Sequence, residues 1–391
     1  MVEPLGLYLH IPFCVQKCGY CDFLSAPASE AIQEQYVQTV IREIEEKKGI
    51  YGDWPVDTIF VGGGTPTILE PGQMERIMDS LFRGFSVEPA AEITWEMNPG
   101  TVSLEKLQVL KQYGVNRLSI GLQSTHNAEL KILGRIHTYE AFLQTWDMVR
   151  NQGFSNVNID LMSGLPLQTL QSYEETIHRI CRLSPEHISA YSLIVEEGTP
   201  FESLYGEAGN LRYQLPEEEI EREMYDLTGK LLSQAGFHQY EISNYAKLEK
   251  ECKHNTRYWK RKPYLGMGIG AASFIENTRF SNETDLSSYL ENGKQGMFSK
   301  QEETKLSVEE EIEETMFLGL RMRDGISIKG FEIKFGYNIM DVYGDVIEKW
   351  IERKRLQIDR KSGRISLTES GIGISNQIFV DFLEPGLPDK V

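Results

Sequence analysis

Residues 5–21 read LGLYLHIPFCVQKCGYC, and this stretch decides how the rest of the chain is interpreted. A short apolar run is typical of a buried strand, and Cys14, Cys18 and Cys21 follow it with the spacing Cys-x3-Cys-x2-Cys. Loops that follow parallel strands meet at one edge of a sheet or barrel. The stretch therefore predicts three thiols gathered in one loop, and soft thiolates select iron–sulfur clusters, zinc or copper(I).

The number of cysteines in this loop narrows the choice of metal. A structural zinc site is closed by four protein ligands, but Asp22, Phe23 and Leu24 follow the third cysteine and supply no fourth one. An iron–sulfur cluster with only three cysteines keeps one iron open to a small molecule. The spacing favours a [4Fe-4S] cluster, and the alternatives are zinc completed by His10 or three buried thiols.

Short apolar or β-branched runs alternate with longer amphipathic segments in the first part of the chain, which is the pattern of βα units around a parallel sheet. Helices are predicted over residues 29–48, 103–113, 171–181 and 216–234. Strands are predicted over residues 5–11, 57–61, 92–97, 117–122, 156–162 and 187–194. Six strands predict an α/β fold with an incomplete TIM-like barrel, whose chemistry lies at the carboxyl ends of the strands.

The alternation stops near residue 236. A Gly-rich stretch at 266–272 lacks the G-x-G-x-x-G spacing of a dinucleotide site and is expected to close on the barrel, while residues 276–303 have the composition of a solvated connection. Helices over 309–323 and 339–355, short strands at 357–359 and 364–367, and a last helix ending near 382 predict a mainly helical, winged-helix-like module. The predicted division is a barrel at 1–235, a barrel-closing and linker region at 236–300, and the C-terminal module at 301–391.

Composition excludes several classes of partner. The 391 residues are 40% hydrophobic and carry 40 Lys and Arg against 58 Asp and Glu, a formal charge of −18, which repels nucleic-acid phosphates. No apolar run approaches the roughly 20 residues of a membrane span, and the first residues lack the order of a signal peptide. Five cysteines are too few and too unevenly spaced for a disulfide framework. We expect a cytoplasmic protein with no nucleic-acid partner and no integral membrane span.

The cysteine motif resembles the CxxxCxxC motif of radical S-adenosylmethionine (SAM) proteins, and residues 8–13 before it resemble the oxygen-independent coproporphyrinogen III oxidase-like group. Five further motifs of that group recur in order over the chain, namely GGGTP at 62–66, EMNP at 96–99, GLQS at 121–124, LGR at 133–135 and DLMSGLP at 160–166. The resemblance covers essentially the whole chain. It implies a partial (β/α)6 radical SAM barrel.

The resemblance also implies cofactors and their contacts. Cys14, Cys18 and Cys21 would hold a [4Fe-4S] cluster whose open iron binds SAM, and an electron donor would reduce it. Read alone, each of the other matching residues would be a turn, a cap or a packing residue. The residues implied to contact SAM are the strand-end Gly63, Gly64 and Thr65, the carboxylates Glu96 and Asp160, the polar Gln123 and Arg135, and the aromatic Tyr8 and Tyr20.

Two features distinguish this chain from the oxidase itself. Phe23 stands where the oxidase has a fourth cysteine, and the first predicted strand begins within a few residues of Met1. Residues 254–259 read HNTRYW and resemble the HNxxYW motif of the haem-chaperone branch, whose members bind haem and pass it to acceptor proteins.

This motif implies that His254 is a haem ligand, although a hydrogen-bonded structural histidine remains an alternative. Tyr258 and Trp259 would pack on the porphyrin, and Arg257 or Lys253 would lie near its propionates. We therefore predict a haem chaperone that carries the cluster and SAM. The alternative is an oxygen-independent coproporphyrinogen III dehydrogenase or another radical SAM enzyme that modifies tetrapyrroles.

Overall fold

The computed structural model describes residues 3–387 and contains a sheet of twelve strands. Six neighbouring strands at its centre are parallel and follow one another in chain order. The two edge strands of the sheet do not pair with each other within the described residues, so the barrel is open. The predicted partial (β/α)6 barrel is confirmed. Its parallel strands are β1 (Leu5–Ile11), β2 (Pro55–Gly63), β3 (Ser86–Met97), β4 (Arg117–Gln123), β5 (Val157–Ser163) and β6 (His187–Ser192).

Helices cover the outside of these strands, and most begin at the capping residue that their sequence supplies. Ser29, Ser103, Thr138 and Thr169 each accept a backbone N–H of the following first turn, which satisfies a donor that the helix itself leaves free. The helices of this part are α1 (Glu30–Tyr51), α2 (Pro71–Gly84), α3 (Leu104–Gln112), α4 (Asn127–Ile132), α5 (Tyr139–Asn151), α6 (Leu170–Leu183), α7 (Pro200–Tyr205) and α8 (Glu218–Gln234), with 3-10 turns at Pro66–Ile68 and Arg212–Gln214.

The region after α8 extends both edges of the barrel sheet. Its elements are β7 (His238–Gln239), β8 (Asn244–Ala246), α9 (Lys253–Trp259), β9 (Tyr264–Met267), β10 (Ala272–Ile275), β11 (Thr278–Ser281), α10 (Leu286–Lys294) and β12 (Gln301–Lys305). β8 pairs antiparallel with β6, and β9 pairs parallel with β1. Residues 276–303, which composition predicts as a connection, contain β11, α10 and the start of β12. Their polar composition reflects an exposed sheet edge, because β12 is largely exposed along its length.

The Gly-rich stretch packs against α1. Gly268 has a φ of +91° and donates its N–H to the buried Glu43 at 2.8 Å. A Cβ atom at Gly268 would lie 2.5 Å from the Tyr36 hydroxyl, so only glycine fits. This segment therefore closes tightly on the barrel through one buried carboxyl group.

The C-terminal part has a core of its own, which includes Phe331, Ile347 and Trp350. Its three short strands pair in the order β13, β15, β14, which confirms the winged-helix-like module. The predicted last helix is two short helices, and the first contains Gly371, where a Cβ atom would lie 2.1 Å from the Arg355 carbonyl oxygen. The elements are α11 (Val308–Arg321), β13 (Ile326–Ser327), α12 (Ile328–Phe335), α13 (Ile339–Glu352), β14 (Leu356–Asp359), β15 (Arg364–Leu367), α14 (Glu369–Ile372) and α15 (Ser375–Val380).

None of the helices within residues 3–387 has the length and apolar composition that crossing a membrane requires.

Candidate functional site

The three cysteines lie in the loop after β1, next to the carboxyl ends of the neighbouring parallel strands. Cys14 is buried, whereas Cys18 and Cys21 are half-buried. The loop is fixed at Gly19, whose N–H donates to the Leu133 carbonyl at 3.1 Å and whose carbonyl accepts the Phe201 N–H at 3.0 Å. The thiols are thus presented by a loop that backbone hydrogen bonds hold in place.

The donor set fits an iron–sulfur cluster better than a zinc ion. Zinc needs four ligands around one point, whereas each cysteine of a [4Fe-4S] cluster binds a different iron. Both ring nitrogens of His10 already have partners, the Tyr8 hydroxyl at 2.9 Å and the Leu24 carbonyl at 2.8 Å. The fourth ligand that the zinc alternative requires is therefore engaged elsewhere.

At the end of β2, Gly63 and Gly64 place backbone without side chains next to the cysteine loop. Gly63 has a φ of +110° and donates its N–H to Glu96 at 3.0 Å. A Cβ atom at Gly63 would lie 2.5 Å from the His10 ring, and one at Gly64 would lie 2.5 Å from the Phe13 carbonyl oxygen. Thr65 donates its N–H to the same carbonyl at 2.7 Å. Both glycines are required by close approach, and the strand end offers a surface without side chains.

Glu96 and Asp160 form a pair of carboxyl groups in the cavity beside this loop. Burial, together with repulsion from Asp160, raises the pKa of Glu96 to about 8. Burial also raises the pKa of Asp160, although a hydrogen bond from Asn158 and the charge of Arg117 oppose this effect. Two desolvated carboxyl groups side by side favour a ligand that brings positive charge.

Arg135 also lines this cavity. It donates to Asn98 Oδ1 at 2.7 Å and to the Gly121 carbonyl, and its Nη1 lies 3.7 Å from Cys18 Sγ. Its Nε is buried and has no protein partner in the described part of the chain. A guanidinium with a donor left over is suited to a ligand carboxylate.

Asn98 is a site residue to which sequence reasoning gave no role. It donates to Thr65 Oγ1 at 2.6 Å and accepts from Arg135 at 2.7 Å, so it joins the ends of β2 and β3 to the loop after α4. The signal was available, because Asn98 follows β3 directly within the 96–99 motif.

The structure brings most of the predicted residues together, with two exceptions. Tyr20 packs on Phe201 with ring centroids 6.2 Å apart and lines the cysteine cavity. Tyr8 lines the neighbouring cavity instead, and His254 lines neither. The predicted residues that line the cysteine cavity are Cys14, Cys18, Tyr20, Cys21, Gly63, Gly64, Thr65, Glu96, Gln123, Arg135 and Asp160.

The second cavity is larger, about 1080 Å³, and lies between the barrel mouth and the C-terminal module. Phe23, Gly63 and Glu96 line both cavities, so the two are neighbours. No His, Cys or Met of residues 3–387 lines this second cavity. Its aromatic residues are Tyr8, Phe23, Phe60, Tyr191, Tyr225, Tyr258 and Trp259, and its basic residues are Arg222, Arg321 and Arg355.

The geometry of the 254–259 motif differs from what its resemblance implies. His254 is fully buried, and its ring nitrogens lie 2.9 Å from Thr58 Oγ1 and 2.7 Å from the Tyr258 hydroxyl. Burial lowers its pKa to about 3. Because both nitrogens are occupied, this arrangement does not favour His254 as an iron ligand, and the assignment stays a prediction.

Arg257 is also placed away from the large cavity. It is 2% exposed, pairs with Asp57 and donates to the Pro4 and Pro263 carbonyls at 2.8 and 2.9 Å. Cys252, before the motif, is fully buried, and burial raises the pKa of its thiol to about 12. The propionate contact expected of Arg257 is therefore not available, because its guanidinium fastens α9 to the start of the barrel.

Comparisons with known proteins agree with this geometry. The radical SAM superfamily model matches residues 8–180, and the HemN C-terminal domain model matches residues 306–373. The heme chaperone HemW of Bacillus subtilis is 37% identical over 96% of this chain and 98% of its own length. That of Escherichia coli is 38% identical over 69% of this chain and 70% of its own length. The solved structure of the E. coli coproporphyrinogen III oxidase HemN superposes with a TM-score of 0.84 at 24% identity, covering 98% of this chain and 90% of that one, which shows the shared fold.

Proposed function

This chain belongs to the family of the heme chaperone HemW within the radical SAM superfamily, and on that premise we propose that it binds haem and passes it to acceptor proteins. The observation that carries the proposal is the cavity of about 1080 Å³, whose wall combines seven aromatic side chains and three arginines with six acidic residues. Ligand cavities of this order enclose cofactor-sized molecules. Apolar aromatic walls suit the faces of a porphyrin, and arginines suit its propionates.

Arg321 is the proposed propionate anchor. Its guanidinium lies 4.3 Å from the centre of the Trp259 ring, and its Nη2 lies 3.6 Å from Glu241. Arg321 Nε and Trp259 Nε1 are both buried without a protein partner in the described part of the chain. Two unused donors beside each other at the cavity wall would be satisfied by a carboxylate.

His254 is proposed to position the cavity wall. Its hydrogen bond to the Tyr258 hydroxyl fixes a side chain that lines the cavity, while Thr58 holds the other side of the imidazole. His254→Ala should then weaken haem binding and leave the spectrum of the haem iron unchanged. A changed ligand spectrum in that variant would instead make His254 the iron ligand.

The radical SAM family implies a [4Fe-4S] cluster and SAM. Cys14, Cys18 and Cys21 would hold the cluster, which when reduced supplies the electron for cleavage of the SAM carbon–sulfur bond. Gly63, Gly64 and Thr65 would present backbone to the methionine part. Glu96 and Asp160 would face its positive charge or ribose hydroxyls, and Arg135 its carboxylate. Gln123, Tyr20 and Tyr8 are proposed as further contacts.

Haem titration tests the proposed function. Purified protein should show saturable haem absorbance, and Arg321→Ala should weaken binding about tenfold. Arg212→Ala removes an exposed arginine of a surface turn that does not line the cavity and should bind as the wild type does. The absence of saturable binding in the wild type would refute the proposal.

A second candidate function is oxidative decarboxylation of coproporphyrinogen III or another radical modification of a tetrapyrrole. The observation in its favour is the full set of SAM contacts in a cavity that shares Glu96 with the larger one. Cluster-loaded protein should be given SAM, reductant and coproporphyrinogen III without oxygen, and decarboxylated product and 5′-deoxyadenosine should be measured together. Product in proportion to 5′-deoxyadenosine would establish the enzyme. SAM cleavage without product would favour the chaperone.

We further propose the setting in which this function operates. All five cysteines are free in the structure, which suits a reducing compartment such as the cytoplasm. An electron donor would reach the cluster loop from solvent, because Val15 and Phe23 beside it are exposed. We propose residues 1–235 as the cluster and SAM barrel, 236–300 as the region that closes it, and 301–391 as the module that completes the haem cavity.

A further inference from the structure

Asp160 ends a chain of hydrogen bonds through the interior of the barrel. Asn158 Nδ2 lies 2.7 Å from Asp160 Oδ1, and His187 Nδ1 lies 2.6 Å from Asn158 Oδ1. The chain continues with 2.8 Å between His187 Nε2 and the Tyr240 hydroxyl, and with 3.3 Å between that hydroxyl and the backbone nitrogen of Cys252. It therefore runs from the cysteine cavity to the residue that caps α9.

Each hydrogen bond between Tyr240 and Asp160 has its donor on the side away from Asp160 and its acceptor on the side nearer to it. An ionised carboxylate only accepts hydrogen bonds, so Asn158 turns its amide nitrogen to Asp160 and its oxygen to His187. Burial holds the pKa of His187 well below its usual value, so the neutral ring donates from Nδ1 and accepts at Nε2 from Tyr240. The Tyr240 oxygen in turn accepts the Cys252 N–H. Aligned hydrogen bonds polarise one another, and here they all favour negative charge on Asp160.

The residues of this hydrogen-bond chain are buried away from solvent. Asn158, His187, Tyr240 and Cys252 are 1%, 0%, 6% and 0% exposed. A shorter branch reinforces it, because Ser119 accepts from Asn158 at 2.8 Å and donates to Asp160 Oδ2 at 3.2 Å. Groups buried this deeply are strongly affected by loss of a partner.

Other charged or titratable groups also act on Asp160, and they do not all act in the same direction. Arg117 lowers the pKa of Asp160, whereas burial raises it. The groups facing Asp160 are Tyr20, Glu96, Arg117, Arg135 and Tyr191. Because burial opposes ionisation of Asp160, the hydrogen-bond donors directed at its carboxylate favour the ionised form that would meet a cation.

We propose that Asn158, His187 and Tyr240 are positioning residues that hold Asp160 ionised and oriented for SAM, an inference that rests on the SAM site proposed above. None of the three residues lines the cysteine cavity. They act through one carboxylate, and they connect it to the helix whose Tyr258 and Trp259 wall the larger cavity.

Tyr240→Phe tests this inference, because it removes the hydroxyl that donates to His187 and keeps the ring. Tyr245→Phe is the matched control, since Tyr245 is 2% exposed and its hydroxyl has no hydrogen-bond partner among residues 3–387. SAM binding to cluster-loaded protein should be measured by calorimetry as a function of pH. Both substitutions should be made in the wild type and in Asp160→Asn. His187→Gln interrupts the same chain if Tyr240→Phe does not fold.

Tyr240→Phe should weaken SAM binding about threefold and move the pH midpoint of binding upwards, whereas Tyr245→Phe should change neither. In the Asp160→Asn background, Tyr240→Phe should have no further effect, because the two residues act as one unit. Equal weakening in both backgrounds, an unchanged midpoint or unchanged affinity would overturn the inference. A wild-type protein that binds no SAM would refute the SAM site itself. That outcome differs from failure of the present inference, because no variant would then bind SAM either.

Discussion

Glu96 is a single residue whose protonation should report SAM binding. Its pKa is raised to about 8 by burial and by Asp160, so at neutral pH it holds a proton in the free protein. SAM carries positive charge and favours the ionised form, so binding should release a proton at pH 7 and strengthen as the pH rises towards about 8. Calorimetry in buffers of different ionisation enthalpy measures this release.

Glu96→Gln should abolish the proton release and flatten the pH profile. Glu105→Gln, an exposed carboxylate in the first turn of α3, should leave both unchanged. Proton uptake on binding would contradict the assignment of Glu96 to a cationic ligand.

The three loop cysteines should each be necessary for the cluster. Cys14→Ser, Cys18→Ser or Cys21→Ser removes the soft ligand of one iron and should abolish the brown absorbance. Cys181 lies in α6, away from the loop, and Cys181→Ser should keep it. Iron content and absorbance after anaerobic reconstitution measure the outcome, and full iron in Cys18→Ser would contradict the ligand set.

The placement of single residues on the cavity wall was predictable where a motif lies within or at the end of a barrel strand, as for Glu96, Gln123 and Asp160. They were not predictable where the partner is distant in sequence. His187 carries no local signal, since its partners Asn158 and Tyr240 are 29 and 53 residues away. His254 carried a motif, but its burial against Thr58 depends on a contact across 196 residues.

At the scale of elements, Glu43 joins α1 to the Gly-rich segment. Its carboxyl group accepts from the Gly268 N–H at 2.8 Å, Asn282 at 2.7 Å and Tyr289 at 2.6 Å. Glu43→Ala leaves three buried donors without an acceptor and should lower the free energy of unfolding by roughly 2–4 kcal/mol. Glu46→Ala, on the exposed face of the same helix, should change it by less than about 0.5 kcal/mol. Denaturant unfolding measures the free energy of unfolding of both variants. Equal values for the two variants would contradict the proposed role of Glu43 in joining α1 to the Gly-rich segment.

Helices and strands were predictable from the sequence where the local hydrophobic pattern determines them. All six parallel strands were found, because burial on both sides of a barrel strand produces a continuous apolar run. Of the barrel helices, α1, α3, α6 and α8 were predicted, whereas α2, α4, α5 and α7 were not. The short strands β7 to β12 were missed. Their residues are polar or few, and they are strands because an edge of the sheet is available to them, which is a non-local condition.

At the scale of the whole molecule, the large cavity depends on how the C-terminal module meets the barrel. Arg261 follows α9, and its side chain is 3% exposed. It lies 2.9 Å from Glu311 and 2.9 Å from Glu314, both in α11. Arg279 also pairs with Glu314, at 2.8 Å. One buried guanidinium thus joins the region that closes the barrel to the module.

Arg261→Ala should loosen this junction. Glu311 and Glu314 would each lose one partner but keep Lys334 and Arg279, respectively, so the free energy of unfolding should fall by about 1–2 kcal/mol. The module should then unfold at a lower temperature than the barrel, and haem binding should weaken because both parts line the cavity. Lys294→Ala, which breaks an exposed pair with Glu291, should alter neither. Calorimetric unfolding and haem titration of the two variants test whether haem binding depends on this junction. A lowered unfolding temperature with unchanged haem affinity would place the haem outside this cavity.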